Sequence, residues 1–179
     1  MKRYAVLLLP VAVALFDSPQ AFACSCPGYA GLLETGPMAV HVIEARVLSH
    51  HPAPGREWAE SMAESIVVRV VRSHKGSLSG DVRLYGSGGG DCTVSATGFA
   101  VGGTFLFLLP PGFGNPLPEK PGYGLYGVCG AVSGNVRDGV LEGVFESSKR
   151  GEERRTTTMP VTEYIRAIGG AGTRKNDRP

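Results

Sequence analysis

Short apolar or alternating segments, separated by stretches rich in Gly and Pro, recur along the chain and predict β-strands. The predicted strands cover residues 39–48, 65–72, 82–85, 104–109 and 123–129, after an extended start at 24–36. Arg137-Asp138-Gly139 lies between apolar residues and predicts a tight hairpin turn. We therefore expect a mainly β protein, a small antiparallel barrel or sandwich, of which an OB-like barrel is the leading case.

One helix is predicted after the strands, at residues 160–168. Val161, Tyr164, Ile165 and Ile168 recur on one face of this helix, and Gly169-Gly170 follows it as a stop signal. We expect the helix to pack on the barrel through Val161, Ile165 and Ile168. The polar, charged residues 147–158 predict a linker before the helix, and residues 171–179 predict a disordered tail.

The first 23 residues have the pattern of a secretory signal peptide. Lys2 and Arg3 precede an apolar run over residues 5–16, and Ala21-Phe22-Ala23 fits a small-x-small cleavage site. The apolar run is too short to cross about 30 Å of hydrocarbon. We therefore expect a secreted protein, extracellular or periplasmic, with a signal peptide at 1–23, one domain at 24–146, and a linker and helix at 147–170.

Composition narrows the class of fold and partner. The chain has 26 Gly among 179 residues, roughly twice the average share. Because each Gly inside a helix costs about 1 kcal/mol, this content disfavours a helical bundle. A net charge of +2 is too small to predict a nucleic-acid partner. A charged fraction of 19% also argues against a disordered, solvated chain.

The sequence carries none of the common catalytic motifs. The four His residues have no HExxH or other metal-ligand spacing, and no Gly-x-Ser-x-Gly elbow is present. The Gly-rich residues 86–90 lack the Lys-Ser/Thr of a phosphate-binding loop. His50 and His51 are expected in an exposed loop, and His41 in a strand. We expect no enzyme activity and no cofactor of the protein's own.

The chain has four cysteines, and all four follow the predicted cleavage site. An even number of Cys in an exported protein predicts two disulfides. Cys24 and Cys26 are one residue apart, so a direct bond between them would close a very tight ring and is disfavoured. Bonds from each of them to Cys92 and Cys129 would instead attach the mature N-terminus to the rest of the domain.

The mature start Cys24-Ser25-Cys26-Pro27 resembles that of the tissue inhibitors of metalloproteinases (TIMPs), which contain a netrin-like domain. The likeness continues over about residues 24–130: a first long strand at 39–47, then Lys75-Gly76, then Gly102-Gly103 before a buried strand. Cys92 and Cys129 stand where the family has half-cystines. The chain resembles a single-domain, bacterial relative of this family.

The resemblance implies an OB-like barrel whose N-terminal ridge occupies the active site of a zinc metalloprotease. The α-amino nitrogen and carbonyl oxygen of Cys24 would chelate the catalytic zinc, which keeps one coordination position open. The zinc would come from the target, and the inhibitor would be a monomer. The implied disulfides are Cys24–Cys92 and Cys26–Cys129. The implied ridge consists of Cys24, Ser25, Cys26, Pro27, Asp91, Cys92 and Thr93.

Two alternatives remain open at this point. The chain lacks the extra cysteines and the second domain of the animal family, and Gly88 to Gly90 would loosen the second segment of the ridge. It can therefore be a netrin-like binding module that inhibits nothing. Cys24 can also be the lipid-modified residue of a lipoprotein, which would block both its disulfide and zinc chelation. Without that lipid, no membrane contact is expected.

Overall fold

The computed structural model describes residues 28–52, 63–86, 94–109, 122–125 and 129–172. Within these ranges the chain forms ten strands and two α-helices, with short 3-10 turns at Gly36–Met38 and Ala96–Gly98. The elements are β1 (Gly28–Tyr29), α1 (Leu32–Thr35), β2 (His41–Pro52), β3 (Ala63–Lys75), β4 (Asp81–Tyr85), β5 (Thr104–Leu109), β6 (Tyr123–Gly124), β7 (Ser133–Arg137), β8 (Val140–Gly143), β9 (Ser148–Lys149), β10 (Thr157–Pro160) and α2 (Val161–Gly172).

Eight strands form one sheet in the order β10-β8-β7-β5-β2-β3-β4-β6, and β1 pairs with β9 in a small second sheet. The mainly β class and the C-terminal helix are confirmed. The expected antiparallel OB-like barrel does not close: in the described part of the chain no pairing joins β6 to β10, and one pair, β4 with β6, is parallel. The sheet stays open because β7 pairs with the second edge of β5 and continues the sheet through β8 and β10.

The central strand β5 separates two hydrophobic cores. Its side chains alternate, with Phe107 and Leu109 in a first core and Leu106 and Leu108 in a second. All four are buried. A strand covered on both faces needs apolar residues at every position, which explains the continuous apolar run of β5.

The first core lies inside the curve of β2, β3, β4 and β5. β-Bulges interrupt the pairing of β2 with β3 at four points, and bulges bend and twist the strands that carry them. Phe99 reaches into this core beside Phe105 and Phe107, with ring centroids 5.2 and 5.1 Å away. At the end of the curve, the Tyr123 ring meets the His41 ring edge-on at 5.6 Å. Side-chain contacts therefore bring β6 back towards the start of β2.

The second core lies on the other face of the sheet, under the two helices. Val161, Tyr164 and Ile168 of α2 are buried there, and Ile165 packs at its margin. The predicted packing face of the helix is thus confirmed. The helix runs to Gly172, into the predicted tail, rather than ending at residue 168, because a Gly weakens a helix without forcing it to end.

Several segments differ from the sequence-based expectation. The predicted linker, residues 147–158, contains β9 and the first half of β10, and the predicted extended start contains α1. β2 continues to Pro52, so His50 and His51 lie in a strand and not in a loop. β10 has a linker-like composition because it is an edge strand, on which polar residues are favoured.

The hairpin of β7 and β8 is confirmed. Its two turn residues, Asp138 and Gly139, have φ angles of 52° and 76°. Two successive residues with positive φ are typical of the type I′ turn, which Asp-Gly favours.

Candidate functional site

The predicted ridge falls outside the described residues. This applies to all seven of its members, Cys24, Ser25, Cys26, Pro27, Asp91, Cys92 and Thr93. Their roles and the pairings Cys24–Cys92 and Cys26–Cys129 stay predictions. The described residues directly beside these segments fix where each segment leaves the folded domain.

The segment that follows Pro27 is held at the sheet by backbone pairing. Gly28 and Tyr29 pair with Lys149 and Ser148. Ala30 then bridges to Gly130 in parallel. The Ala30 N–H donates to the Cys129 carbonyl oxygen at 2.7 Å, and the Ala131 N–H donates to the Ala30 carbonyl oxygen at 2.8 Å. The chain therefore enters the fold in a defined position immediately after the predicted ridge.

Cys129 lies in that same position and is disulfide-bonded. The other three cysteines of the chain all lie outside the described residues. Because the Cys129 carbonyl oxygen accepts a hydrogen bond from Ala30, the cross-link lies directly beside the entry of the N-terminal strand. A disulfide-bonded residue and a backbone hydrogen bond to the N-terminal strand thus occur at the same position.

Side chains reinforce this attachment. The Arg154 guanidinium stacks on the Tyr29 ring, 4.2 Å from its centroid. Burial raises the pKa of the Tyr29 hydroxyl, and the Arg154 charge partly offsets that rise. The Gly31 N–H donates to Ser147 Oγ at 3.2 Å, and the Ser147 hydroxyl donates to the Glu34 carboxylate. The segment 147–154 therefore holds the N-terminal strand from its outer side.

Two glycines permit this close contact. A Cβ on Gly28 would lie 2.7 Å from the Ser148 carbonyl oxygen, and one on Gly31 would lie 2.2 Å from the Phe145 carbonyl oxygen. Both distances are shorter than any ordinary contact with backbone, so a larger residue at either position would push the N-terminal strand away from its partner.

Gly86 and Val94 are the nearest described residues before and after the second predicted ridge segment, Asp91 to Thr93, and these two residues lie against each other. A Cβ on Gly86 would be 2.4 Å from the Val94 carbonyl oxygen. The Leu125 N–H donates to the Tyr85 carbonyl oxygen at 2.6 Å, and the Val94 N–H donates to the Leu125 carbonyl oxygen at 3.3 Å. Residues 85–86 and residue 94 therefore lie close together, beside residue 125.

A cleft of about 660 Å³ lies beside the N-terminal strand, between α1 and the segment 145–159. Leu33, Phe145 and Met159 form its apolar part, while Glu153 and Arg155 stand among its polar residues. The Tyr29–Arg154 contact lies at this cleft through Arg154, which also lines it. A cleft with apolar and charged lining can hold a peptide segment.

Three histidines lie close to polar groups of the fold. His50 Nε2 lies 2.7 Å from the Phe99 carbonyl oxygen, and His51 Nε2 lies 3.1 Å from Ser49 Oγ. His74 Nε2 lies 3.5 Å from the Glu44 carboxylate. Within the described ranges, no three His, Cys, Asp or Glu side chains are placed to hold a metal ion. In the same ranges no helix has the length and apolarity to span a bilayer.

The sequence alone did not indicate that Tyr29 and Arg154 contact each other and help to hold the N-terminal strand. Tyr29 stands two residues after Pro27, which gave a signal that it borders the predicted ridge. Arg154 stands in what reads as a linker, and only the pairing of β1 with β9 brings it to Tyr29.

Comparison of the chain with protein-family models, curated proteins and solved structures returned no match. The resemblance to the TIMP family therefore stays a prediction from the motifs.

Proposed function

We propose that the protein is an exported inhibitor of a zinc metalloprotease whose mature N-terminus, Cys24, ligates the zinc of the target. The observation that carries this proposal is the fixed entry of the N-terminal strand beside the disulfide-bonded Cys129. An inhibitory N-terminus must be held rigidly, because ordering a free chain end on binding costs conformational entropy.

The described contacts supply this support at several positions. Two backbone hydrogen bonds hold Ala30 against residues 129–131, and Tyr29 is held by β9 and Arg154. The four residues from Cys24 to Pro27 precede this attachment in the sequence. A segment of that length spans at most about 14 Å, so its free end stays close to the domain.

The proposed chemistry needs only groups that every mature N-terminus has, placed correctly. The α-amino group, with an ordinary pKa near 8, has a usable neutral fraction at neutral pH. Together with the first carbonyl oxygen it can replace the water at the open position of a catalytic zinc. Ser25 would then project into the specificity pocket next to the zinc, where its small side chain permits broad selectivity.

The test compares three forms of the oxidised, exported protein against a panel of zinc proteases. One begins at Cys24, a second carries one extra Ala before Cys24, and a third carries one extra Ala after Pro179. We expect inhibition by the first and third forms, and a loss of at least about a hundredfold in the second, because the extension removes the chelating amine from its position. Equal inhibition by all three forms would rule out chelation.

A second candidate function is a netrin-like binding module without inhibitory activity, and the cleft beside β1 favours it. This cleft has room for a peptide segment, and its lining comes from α1 and the segment 145–159 rather than from the ridge. No inhibition of any panel protease by the correctly processed, oxidised protein would favour this candidate. The intact mass of the exported protein gives the cleavage site, the oxidation state and any lipid on Cys24 in one measurement.

A further inference from the structure

Four arginines lie on the face of β2, β3 and β4 that points away from the first core. Arg46 of β2 lies directly opposite Arg69 of β3. On β4, Asp81 lies opposite Arg69, and Arg83 follows two residues later on the same face. Arg72 is paired with Glu44, two residues before Arg46 on the same face. We call Arg46, Arg69, Arg72 and Arg83 the arginine face.

The pairing of Arg46 with Arg69 places two like charges opposite each other, and the Asp81 carboxylate beside Arg69 offsets part of their repulsion. Directly opposite residues on neighbouring strands have Cβ atoms about 5 Å apart, and like charges there destabilise a sheet. Nothing in the packing requires an arginine at position 46, because its side chain is exposed. An exposed positive charge without a packing role is available to a ligand of opposite charge.

The acids on this face leave an excess of positive charge. Asp81 accepts two hydrogen bonds from Arg69, at 2.8 and 3.1 Å, and this contact lowers the pKa of the Asp81 carboxyl. Glu44 lies near His74, at 3.5 Å. Within the described residues, no carboxylate lies within ion-pair distance of Arg46, Arg72 or Arg83, and Glu44 is the cross-strand neighbour of Arg72. The guanidinium groups of these three arginines can therefore contact an anionic ligand on this face.

Two exposed valines flank the arginine face. Val71 stands between Arg69 and Arg72 in β3 and is 61% exposed. Val101, 59% exposed, precedes Gly102, and a Cβ on Gly102 would lie 3.9 Å from Arg46 Nη2. The arginine face thus combines unpaired guanidinium groups with apolar side chains at two of its margins.

We propose that the arginine face binds the anionic surface of a lipid bilayer, with guanidinium groups on lipid phosphates and the two valines at the headgroup boundary. Arg matches phosphate through paired hydrogen bonds. Each basic side chain near an anionic membrane adds to binding, and buried apolar area adds more. An open sheet face suits a broad surface better than it suits a compact ligand. The proposal departs from the sequence expectation, which allowed a membrane contact only through a lipid on Cys24.

The test uses the oxidised protein without lipid on Cys24, sedimented with vesicles of phosphatidylcholine alone or of equal parts phosphatidylcholine and phosphatidylglycerol. We expect binding only to the anionic vesicles, weakened by salt. The double variant Arg46→Gln/Arg72→Gln should bind at least about tenfold more weakly. Arg137→Gln/Arg166→Gln, which removes the same charge from exposed positions on β7 and α2, should bind as the parent does.

A second pair of measurements separates a lipid surface from a soluble polyanion. Val71→Ser/Val101→Ser should weaken binding to anionic vesicles while leaving binding to soluble polyphosphate unchanged. Binding to polyphosphate but not to vesicles would overturn the proposal, as would an equal loss in the Arg137/Arg166 control. None of these assays involves a protease, so their outcome is independent of the inhibitor proposal. A cooperative thermal unfolding transition near the parent temperature verifies that each variant is folded.

Discussion

At the scale of single residues, Tyr164 connects the C-terminal helix to the start of the domain. Its side chain is buried in the second core, and its hydroxyl donates to the Leu32 carbonyl oxygen at 2.9 Å. Gly36 leaves room for that hydroxyl, since a Cβ there would lie 2.4 Å from it. A buried hydroxyl without a partner would be costly, so the contact determines how α2 sits on α1.

Replacing Tyr164 by Phe should lower the free energy of unfolding by about 1 kcal/mol, because the Leu32 carbonyl loses its buried donor. Burial also raises the pKa of Tyr164 above its ordinary 10.0. The unfolded chain therefore releases this proton first, so stability is full below about pH 10 and falls as the pH rises further. Tyr164→Phe should flatten that alkaline fall.

Urea unfolding at neutral and alkaline pH measures both effects. Tyr29→Phe is the matched control at neutral pH, since Phe keeps a ring under the Arg154 guanidinium. Equal destabilisation by the two variants at neutral pH would contradict the role given to the Tyr164 hydroxyl.

At the scale of elements, the turn of the β7–β8 hairpin also positions the C-terminal helix. Gly139 has a φ of 76°, and its carbonyl oxygen accepts a hydrogen bond from the Val161 N–H at 2.9 Å. The first residue of α2 is thereby held by the hairpin, and the rest of the helix is directed over the second core. The Asp-Gly turn was predictable from sequence, while its contact with Val161 was not.

We expect opposite effects from the same substitution at two glycines. Gly139→Ala should destabilise the protein by about 1 kcal/mol, because a Cβ is strained at positive φ. Gly169→Ala should stabilise it by up to about 1 kcal/mol, because position 169 lies in α2 with open space around it. Thermal unfolding of both variants shows whether each substitution raises or lowers the stability. A stabilising Gly139→Ala would contradict the turn geometry.

At the scale of the whole molecule, β5 unites two cores that would otherwise be separate. Leu108 packs under the helices, and its neighbour Leu109 packs inside the curved half of the sheet. Each core therefore depends on one face of β5. Because the two cores share this strand, we expect the domain to unfold as one unit.

Leu108→Ala and Leu109→Ala should each lower the free energy of unfolding by about 2–5 kcal/mol and leave a single transition. Val101→Ala, at an exposed position, should change it by less than about 0.5 kcal/mol. Far-ultraviolet circular dichroism and tyrosine fluorescence should follow the same transition curve. Two separate transitions in either leucine variant would mean that the cores unfold independently.

Periodicity and turn chemistry by themselves determined the mainly β class, the bounds of β5, the Asp138-Gly139 turn and the apolar face of α2. These features are local, because each depends on residues close together in the chain. The open sheet, the parallel pair of β4 with β6 and the strands β9 and β10 depended on which edges find partners. The edge strand β10 looks like a linker until β8 is placed beside it.

The same division holds for the candidate sites. The N-terminal ridge was a prediction from motifs around Cys24, and only tertiary structure brought Ala30 to Cys129 and Arg154 to Tyr29. The arginine face was not predictable from the sequence, since Arg46 and Arg69 are 23 residues apart (69 − 46) and become neighbours through the register of β2 and β3. The sequence determines the chemistry of each side chain, but strand pairing decides the distance between charges.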